Sequence, residues 1–181
     1  VFCVCVDVCD PYVIFPLLQS TFPISDDVWC ATQCDDKLFV VCYYSNIIHV
    51  YRQHDKQLKE IEHFKLEELE SPTDIVSCTE TRQLYVADWS RHTESFYCVY
   101  SVWRVSLDGR QVVKWPPKKS TTTTHFRPST LSMTSRRLLV TSHNELLLYG
   151  ADGVELKRVP LPDMTSLQHA VETSRGTFIV S

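Results

Sequence analysis

The chain has 181 residues, 44% of them hydrophobic and 22% charged, with a formal net charge of −4. A chain of this size buries roughly two-thirds of its unfolded surface, so one ordinary core is attainable. The slightly acidic balance excludes a domain that coats nucleic acid through bulk positive charge, while leaving local basic patches open. Only 4 glycines and 9 prolines exclude collagen-like or linker-like sequence, and no run of about 18 uncharged apolar residues is present to span a bilayer.

The first ten residues alternate Val and Cys much as a translated TGTGTG repeat would. Residues 1–27 are therefore read as a low-complexity N-terminal segment, either a gene-model artefact or an outer strand of the adjoining domain. The chain starts at Val1, has no basic n-region, and places Asp7, Asp10 and Pro11 ahead of the apolar Tyr12 to Leu18, which is a poor match to a signal peptide. At the other end it stops inside the apolar run Thr177-Phe178-Ile179-Val180-Ser181, and both ends read as cuts in a longer protein.

From residue 28 onward the sequence repeats itself. Four short strand-like cores stand out: Lys37-Leu38-Phe39-Val40, Gln83-Leu84-Tyr85-Val86, Arg137-Leu138-Leu139-Val140 and Thr177-Phe178-Ile179-Val180. Upstream of each lies another short strand, at Val28 to Thr32, Thr73 to Ser77, Ser129 to Met133 and Gln168 to Glu172. Downstream come third strands at Ile47 to Tyr51, Val102 to Val105 and Leu146 to Tyr149, then turns at His54-Asp55, Asp108-Gly109 and Asp152-Gly153. Gly suits such a turn because it adopts φ > 0 without steric cost. Fourth strands come next at Gln57 to Ile61, Gln111 to Trp115 and Val154 to Val159. Units of about 40 to 50 residues with four strands each are what propeller blades give. The predicted fold is all-β, a β-propeller fragment of three to four blades, over 28–62, 72–115, 128–160 and an incomplete 166–181.

The third unit opens at Pro128, passes Thr134-Ser135-Arg136, and closes with Leu146-Leu147-Leu148-Tyr149-Gly150-Ala151-Asp152-Gly153. Leu84-Tyr85-Val86-Ala87-Asp88 forms the core of the second. Together these resemble the NHL repeat, with its Pro-led first strand, apolar "LYVAD"-like second strand and Asp-Gly turn, over roughly residues 28 to 181. Two departures stand out: the first-hairpin glycine is present only at Gly176, and Trp89-Ser90-Arg91 replaces the Asn-Arg pair that often follows "VAD". Leu84 to Trp89 with Ser106-Leu107-Asp108-Gly109 also resembles the YWTD propellers of receptor ectodomains, which implies an extracellular alternative. The NHL resemblance implies a recognition module that binds protein or RNA, as in tripartite-motif ubiquitin ligases, although no RING, B-box or coiled-coil residues are present here.

In a propeller the loops between second and third strands, and the connections from the fourth strand to the next blade, emerge on one face. The second unit carries an insertion there, Trp89 to Tyr97, and a long connection from Pro116 to Arg127 leaves on the same side. The two irregular segments are expected to converge and to gather Trp89, Arg91, His92, Lys118, Lys119, His125 and Arg127. Arg and aromatic residues are the types enriched at interaction hot spots. Read structurally instead, both are merely tolerated surface loops. The connection His63-Phe64-Lys65-Leu66-Glu67-Glu68-Leu69-Glu70 has the opposite sign, as a short helix packing Phe64, Leu66 and Leu69 inward or as a solvated acidic loop. Opposed charge around one face suits a peptide better than a phosphate backbone.

Eight cysteines contain no CxxC pair, so no structural metal is expected. Cys42, Cys78 and Cys98 lie in apolar runs and are read as reduced, buried core thiols of a cytoplasmic protein. His49, inside Ile47 to Tyr51, reads as an outward strand residue and not a ligand. No Gly-x-Ser-x-Gly, HExxH or phosphate-loop pattern occurs. Asp74, Glu172 and His169 are too few to hold Ca²⁺ as calcium-dependent hydrolase propellers of the paraoxonase type do. The expected function is a non-catalytic interaction scaffold with no cofactor, binding a protein or peptide. The alternatives are an RNA-binding propeller and a calcium-dependent hydrolase; self-association is expected if the ring is incomplete.

Overall fold

The computed structural model describes residues 6–7, 28–55, 57–91, 98–115, 127–134, 137–162, 167–173 and 175–181, with 6, 7, 91 and 115 described by backbone alone. The strands are β1 (Val6–Asp7), then β2 (Val28–Cys34), β3 (Lys37–Cys42), β4 (Ile47–His54) and β5 (Gln57–Lys65) of a first blade. A second blade comprises β6 (Pro72–Cys78), β7 (Gln83–Arg91), β8 (Cys98–Ser106) and β9 (Val112–Trp115), and a third β10 (Pro128–Thr134), β11 (Arg137–Ser142), β12 (Glu145–Gly150) and β13 (Glu155–Pro160). A hairpin of β14 (Ala170–Glu172) and β15 (Phe178–Val180) begins a fourth. Each blade is an antiparallel meander in chain order, and the leading strands lie side by side, β2 against β6, β6 against β10 and β10 against β14. The arrangement is propeller-like, and no helix occurs among the described residues.

The register bears out the repeat alignment. Val40, Val86, Val140 and Val180 sit opposite Ala31, Ile75, Leu131 and Ala170, each the matching position of its leading strand. The pairing shifts in the same place in three blades, between Val28 and Cys30, Pro72 and Asp74, and Pro128 and Thr130. Trp29, Thr73 and Ser129 are therefore equivalent bulge residues, and a bulge re-aims its side chain. Proline fits the first residue of such a strand because no ladder bond is asked of its nitrogen.

Strands with neighbours on both sides bury both faces, which is why they read as nearly continuous apolar runs. On β7, Leu84 and Val86 pack with Phe39, Val41, Ile48 and Phe64 of the first blade. Tyr85 and Ala87 turn the other way, onto Leu131, Leu138, Val140 and Leu147 of the third. Leu139, Leu146 and Leu148 continue the pattern onto Leu167, Ala170, Phe178 and Val180. Each fully buried side chain of this size contributes about 1.5–3 kcal/mol relative to exposure.

Short polar side chains stitch the leading strands together. Asp74 on β6 accepts the Cys30 thiol at 3.0 Å from the first blade and the Leu131 N–H at 2.6 Å from the third. Ser77 donates to the Gln33 carbonyl at 2.6 Å and accepts from Thr32 at 3.1 Å, and Ser132 donates to the Ala170 carbonyl at 2.8 Å. Ser77 and Ser132 are buried, so their hydroxyls need these acceptors.

Four expectations need correction. The stretch 63–70 forms no helix: β5 runs to Lys65 because β4 offers partners as far as Ile47, and a turn comes after it. Phe64, Leu66 and Leu69 are nonetheless buried. The insertion after Asp88 is less irregular than expected, since β7 extends to Arg91 and pairs with Cys98, Val99 and Tyr100. Cys98 is exposed there, unlike the buried Cys30, Cys34, Cys42 and Cys78. Finally, Val6–Asp7 pairs in parallel with β2, beside the axis, and not with the outer strand β5; the open edge of β2 supplies the unpaired backbone groups.

The turns explain the sparse glycines. Gly109 and Gly153 take φ +69° and +88° in the two Asp-Gly turns, while Asp55 takes φ +49° in the equivalent turn of the first blade. Where the first hairpins lack glycine, Asp35 (φ +55°) and Arg82 (φ +54°) adopt the left-handed conformation themselves and pair with each other at 2.7 Å. A Cβ on Gly109 would lie 2.6 Å from the Phe64 ring, whereas one on Gly176 (φ +73°) meets only Glu172 Oε1 at 3.8 Å. Gly109→Ala is expected to cost about 2–4 kcal/mol, from backbone strain plus overpacking, and Gly176→Ala about 1–2 kcal/mol from strain alone. Denaturant unfolding checks this; equal losses would mean that Phe64 yields freely.

Candidate functional site

The turn between β3 and β4 is Tyr43-Tyr44-Ser45-Asn46. Its geometry puts Tyr44 at φ +54°, a conformation that costs a non-glycine residue roughly 1–2 kcal/mol, with 66% of its surface exposed. Two aromatic contacts hold it. The Tyr43 and Tyr44 rings are 4.0 Å apart between centroids with their hydroxyls 3.1 Å apart, and Trp89 stands edge-on to Tyr44 at 6.5 Å. The hydroxyl–hydroxyl bond pushes the Tyr43 phenol above its ordinary pKa. On the far side Trp29, turned out by its bulge, stacks on Tyr43 at 4.9 Å and donates its indole N–H to the Thr73 carbonyl at 2.8 Å. A row of four aromatic side chains thus crosses from the first blade to the second.

Beside this row lies a cleft of about 710 Å³ lined by Tyr44, Ser45, Asn46, Glu67, Leu69, Glu70, Ser71 and Trp89. Its floor is the connection from β5 to β6, and that connection is pinned. Leu66 N–H donates to the Asn46 carbonyl at 2.8 Å, and Trp89 N–H to the Ser71 carbonyl at 3.2 Å. Asp88, 2% exposed, accepts from the backbone of Ser71 at 2.8 Å and Glu70 at 3.3 Å, and from the indole of Trp103 at 3.2 Å. Burial pushes the Asp88 carboxyl above the ordinary aspartate range; the three donors pull it partly back, and the nearby Glu70 charge pushes the same way as burial. The third blade repeats the device with a shorter reach, Ser142 Oγ accepting from Arg127 N–H at 2.8 Å and Asn144 O from Leu161 N–H at 2.7 Å.

Of the residues expected on this face, Trp89 lines the cleft. Arg127 places its guanidinium 5.7 Å over the Tyr100 ring, and register sets Tyr100 directly opposite Trp89. Trp89 and Arg127 are therefore brought to the same end of the second blade. Arg91 is the last residue of β7; His92, Lys118, Lys119 and His125 lie outside the described residues. Sequence reasoning named Glu70 only as part of an acidic connection, and it missed Trp29, Tyr43, Tyr44 and Tyr100. The adjacent pair Tyr43-Tyr44 at a predicted turn was the one available signal; the rest required the bulge and the register. Among the described residues, no group of three or more His, Cys, Asp or Glu side chains is placed to share a metal ion. His49 is largely buried and bonds Glu60 through Nδ1 at 2.9 Å.

No protein-family model and no curated protein sequence matches the chain. Among solved structures it is similar to hydrazine synthase of Kuenenia stuttgartiensis, with a TM-score of 0.56 and 17% identity over 78% of this chain and 38% of that one. It is also similar to the extracellular domain of the hybrid two-component system BT4673 of B. thetaiotaomicron, with a TM-score of 0.59 and 14% identity over 90% of this chain and 20% of that one. The likeness is one of fold. The chain spans well under half the length of either protein. No helix among the described residues is long and apolar enough to cross a membrane.

Asp88→Ala leaves three N–H donors without their acceptor and is expected to cost about 2–4 kcal/mol. Asp88→Asn keeps one oxygen but turns an amide N–H₂ toward a donor, so a smaller loss is expected. Because the folded carboxyl holds its proton to higher pH than the unfolded one, its contribution to stability is greatest below the unfolded value of about 3.9 and is lost as pH rises toward the raised folded value. Wild type should lose stability relative to Asp88→Asn across that window; urea titrations from pH 3 upward showing the opposite slope would contradict burial as the cause.

Proposed function

We propose that the chain is a non-catalytic interaction module of NHL-like character whose cleft face binds a protein or peptide partner. The observation that carries this reading is Tyr44, a large exposed aromatic kept in a left-handed conformation beside a cleft. A glycine there would relieve the strain, and strained, exposed residues of this kind cluster at binding sites. The aromatic row through Trp29, Tyr43 and Trp89 adds rigid contact area of the sort that dominates interface energetics. The pinned floor supports the reading too, since a preorganised surface loses less entropy when it binds.

RNA binding draws its support from Lys118, Lys119 and Arg127, but the cleft itself is lined by Glu67 and Glu70, which repel a phosphate backbone. We favour a peptide for that reason. A cytoplasmic setting is supported by the use of Cys30, Cys34, Cys42 and Cys78 as members of the apolar clusters, the role thiols play in a reducing compartment.

Peptides selected from a displayed random library against the whole chain test the proposal. Tyr44→Gly should leave stability unchanged or raise it by up to about 1 kcal/mol, the relieved strain offsetting the lost ring contacts, yet weaken the selected peptides at least tenfold. Undiminished binding by both Tyr44→Gly and Trp89→Ala would sink it.

A further inference from the structure

The lining of the cleft has a chemical bias. Two aromatic residues, Tyr44 and Trp89, and two carboxylates, Glu67 and Glu70, share it with Ser45, Asn46 and Ser71, and no Lys, Arg or His is among the described lining residues. Leu69, 2% exposed, makes the base apolar. Glu67 has a neighbour in Lys65, 3.1 Å away, but both side chains are well exposed, and such a pair contributes little and is readily exchanged. Glu70 has no ion-pair partner among the described residues. Its backbone N–H is held by Asp88, so the residue is fixed at the cleft while its carboxylate stays uncompensated. The buried Asp88 carboxyl beneath the floor adds negative potential at the same place whenever it is ionised.

Resting on the reading that this face binds a peptide, we propose that the cleft takes a basic segment of a protein partner, seating an arginine or lysine side chain against Tyr44 and Trp89 with Glu70, and secondarily Glu67, as its counter-charge. A planar guanidinium suits the site best, because it stacks on aromatic rings and forms bidentate bonds to a carboxylate. The protein already makes one such contact on the strand next to Trp89, with Arg127 over Tyr100. Ser45 and Asn46, from the β3–β4 turn, supply acceptors for the remaining N–H groups.

The test uses the random-peptide selection on the whole chain, followed by affinity measurement. The expected result is enrichment of Arg or Lys at one position, a tenfold or greater loss when that residue becomes Gln, a similar loss with the Glu67→Gln/Glu70→Gln double variant, and affinity that falls with salt. Both glutamates are exposed, so the double variant should melt as wild type does; a lowered melting temperature would be answered by Glu70→Gln alone, which must still show most of the loss. If the selected peptides depend on Tyr44 and Trp89 but carry no basic residue, the cationic assignment is overturned while the peptide-binding reading stands. Should no selected peptide depend on Tyr44 or Trp89, both fall. Displacement of a selected peptide by an RNA oligonucleotide, with RNA binding strengthened by the glutamine variants, would also overturn the assignment.

Discussion

A single carboxylate on the axis ties three blades together. Asp74 accepts a hydrogen bond from the Cys30 thiol on one side and from the Leu131 N–H on the other. Apart from β2, which β1 joins at Ala31 and Thr32, the leading strands have no ladder partner on their axial edge among the described residues, so their polar groups need side chains to complete them. Asp74, Ser77, Thr32 and Ser132 do this with the shortest side chains able to reach, and short side chains set the spacing between strands. The apolar clusters between blades then fill a gap whose width has already been fixed. Burial pushes the Cys30 thiol far above its usual pKa, with the adjacent Asp74 carboxylate adding to the effect, so the proton that Asp74 needs stays on sulfur.

The cleft inherits its position from that frame. Leading strands held side by side bring the first β3–β4 turn next to the connection that feeds the second blade. Asp88 then draws this connection down, and the aromatic row closes over it. Charge and shape at the site thus come from two different sources: the carboxylates belong to a connecting segment, and the rings belong to a turn, a bulge and a strand end of two blades. Neither source alone would make a recess of mixed aromatic and acidic character.

Much of the fold could be read from the sequence because blades repeat. The four Val positions that end the second-strand cores occupy equivalent places in the register, and the Asp-Gly turns take the left-handed glycine conformation expected of them. What escaped depends on three-dimensional pairing. The 63–70 stretch has helix-like apolar spacing, yet β4 supplied backbone partners and won. Tyr44 has an ordinary local sequence; its strain comes from the loop closing between β3 and β4. Trp29 and Trp89 lie 60 positions apart in the chain and approach the same tyrosine pair only because two blades stand side by side. Among the residues anticipated for the face, Trp89 and Arg127 meet through Tyr100, a residue whose importance comes from register alone.

The anchor ahead of the second and third blades has a consequence for how such a chain tolerates change. Ser71 and Arg127, each directly before a proline, give their N–H to a side chain near the end of the strand they face, Asp88 in one case and Ser142 in the other. That bond fixes where the next blade begins, independently of the length of chain that leads to it. A connection can therefore grow from the few residues after Lys65 to the longer stretch after Trp115 without moving the strands beyond it. Loop growth on this face is decoupled from blade geometry, so new recognition sequence can accumulate there at little cost to the scaffold.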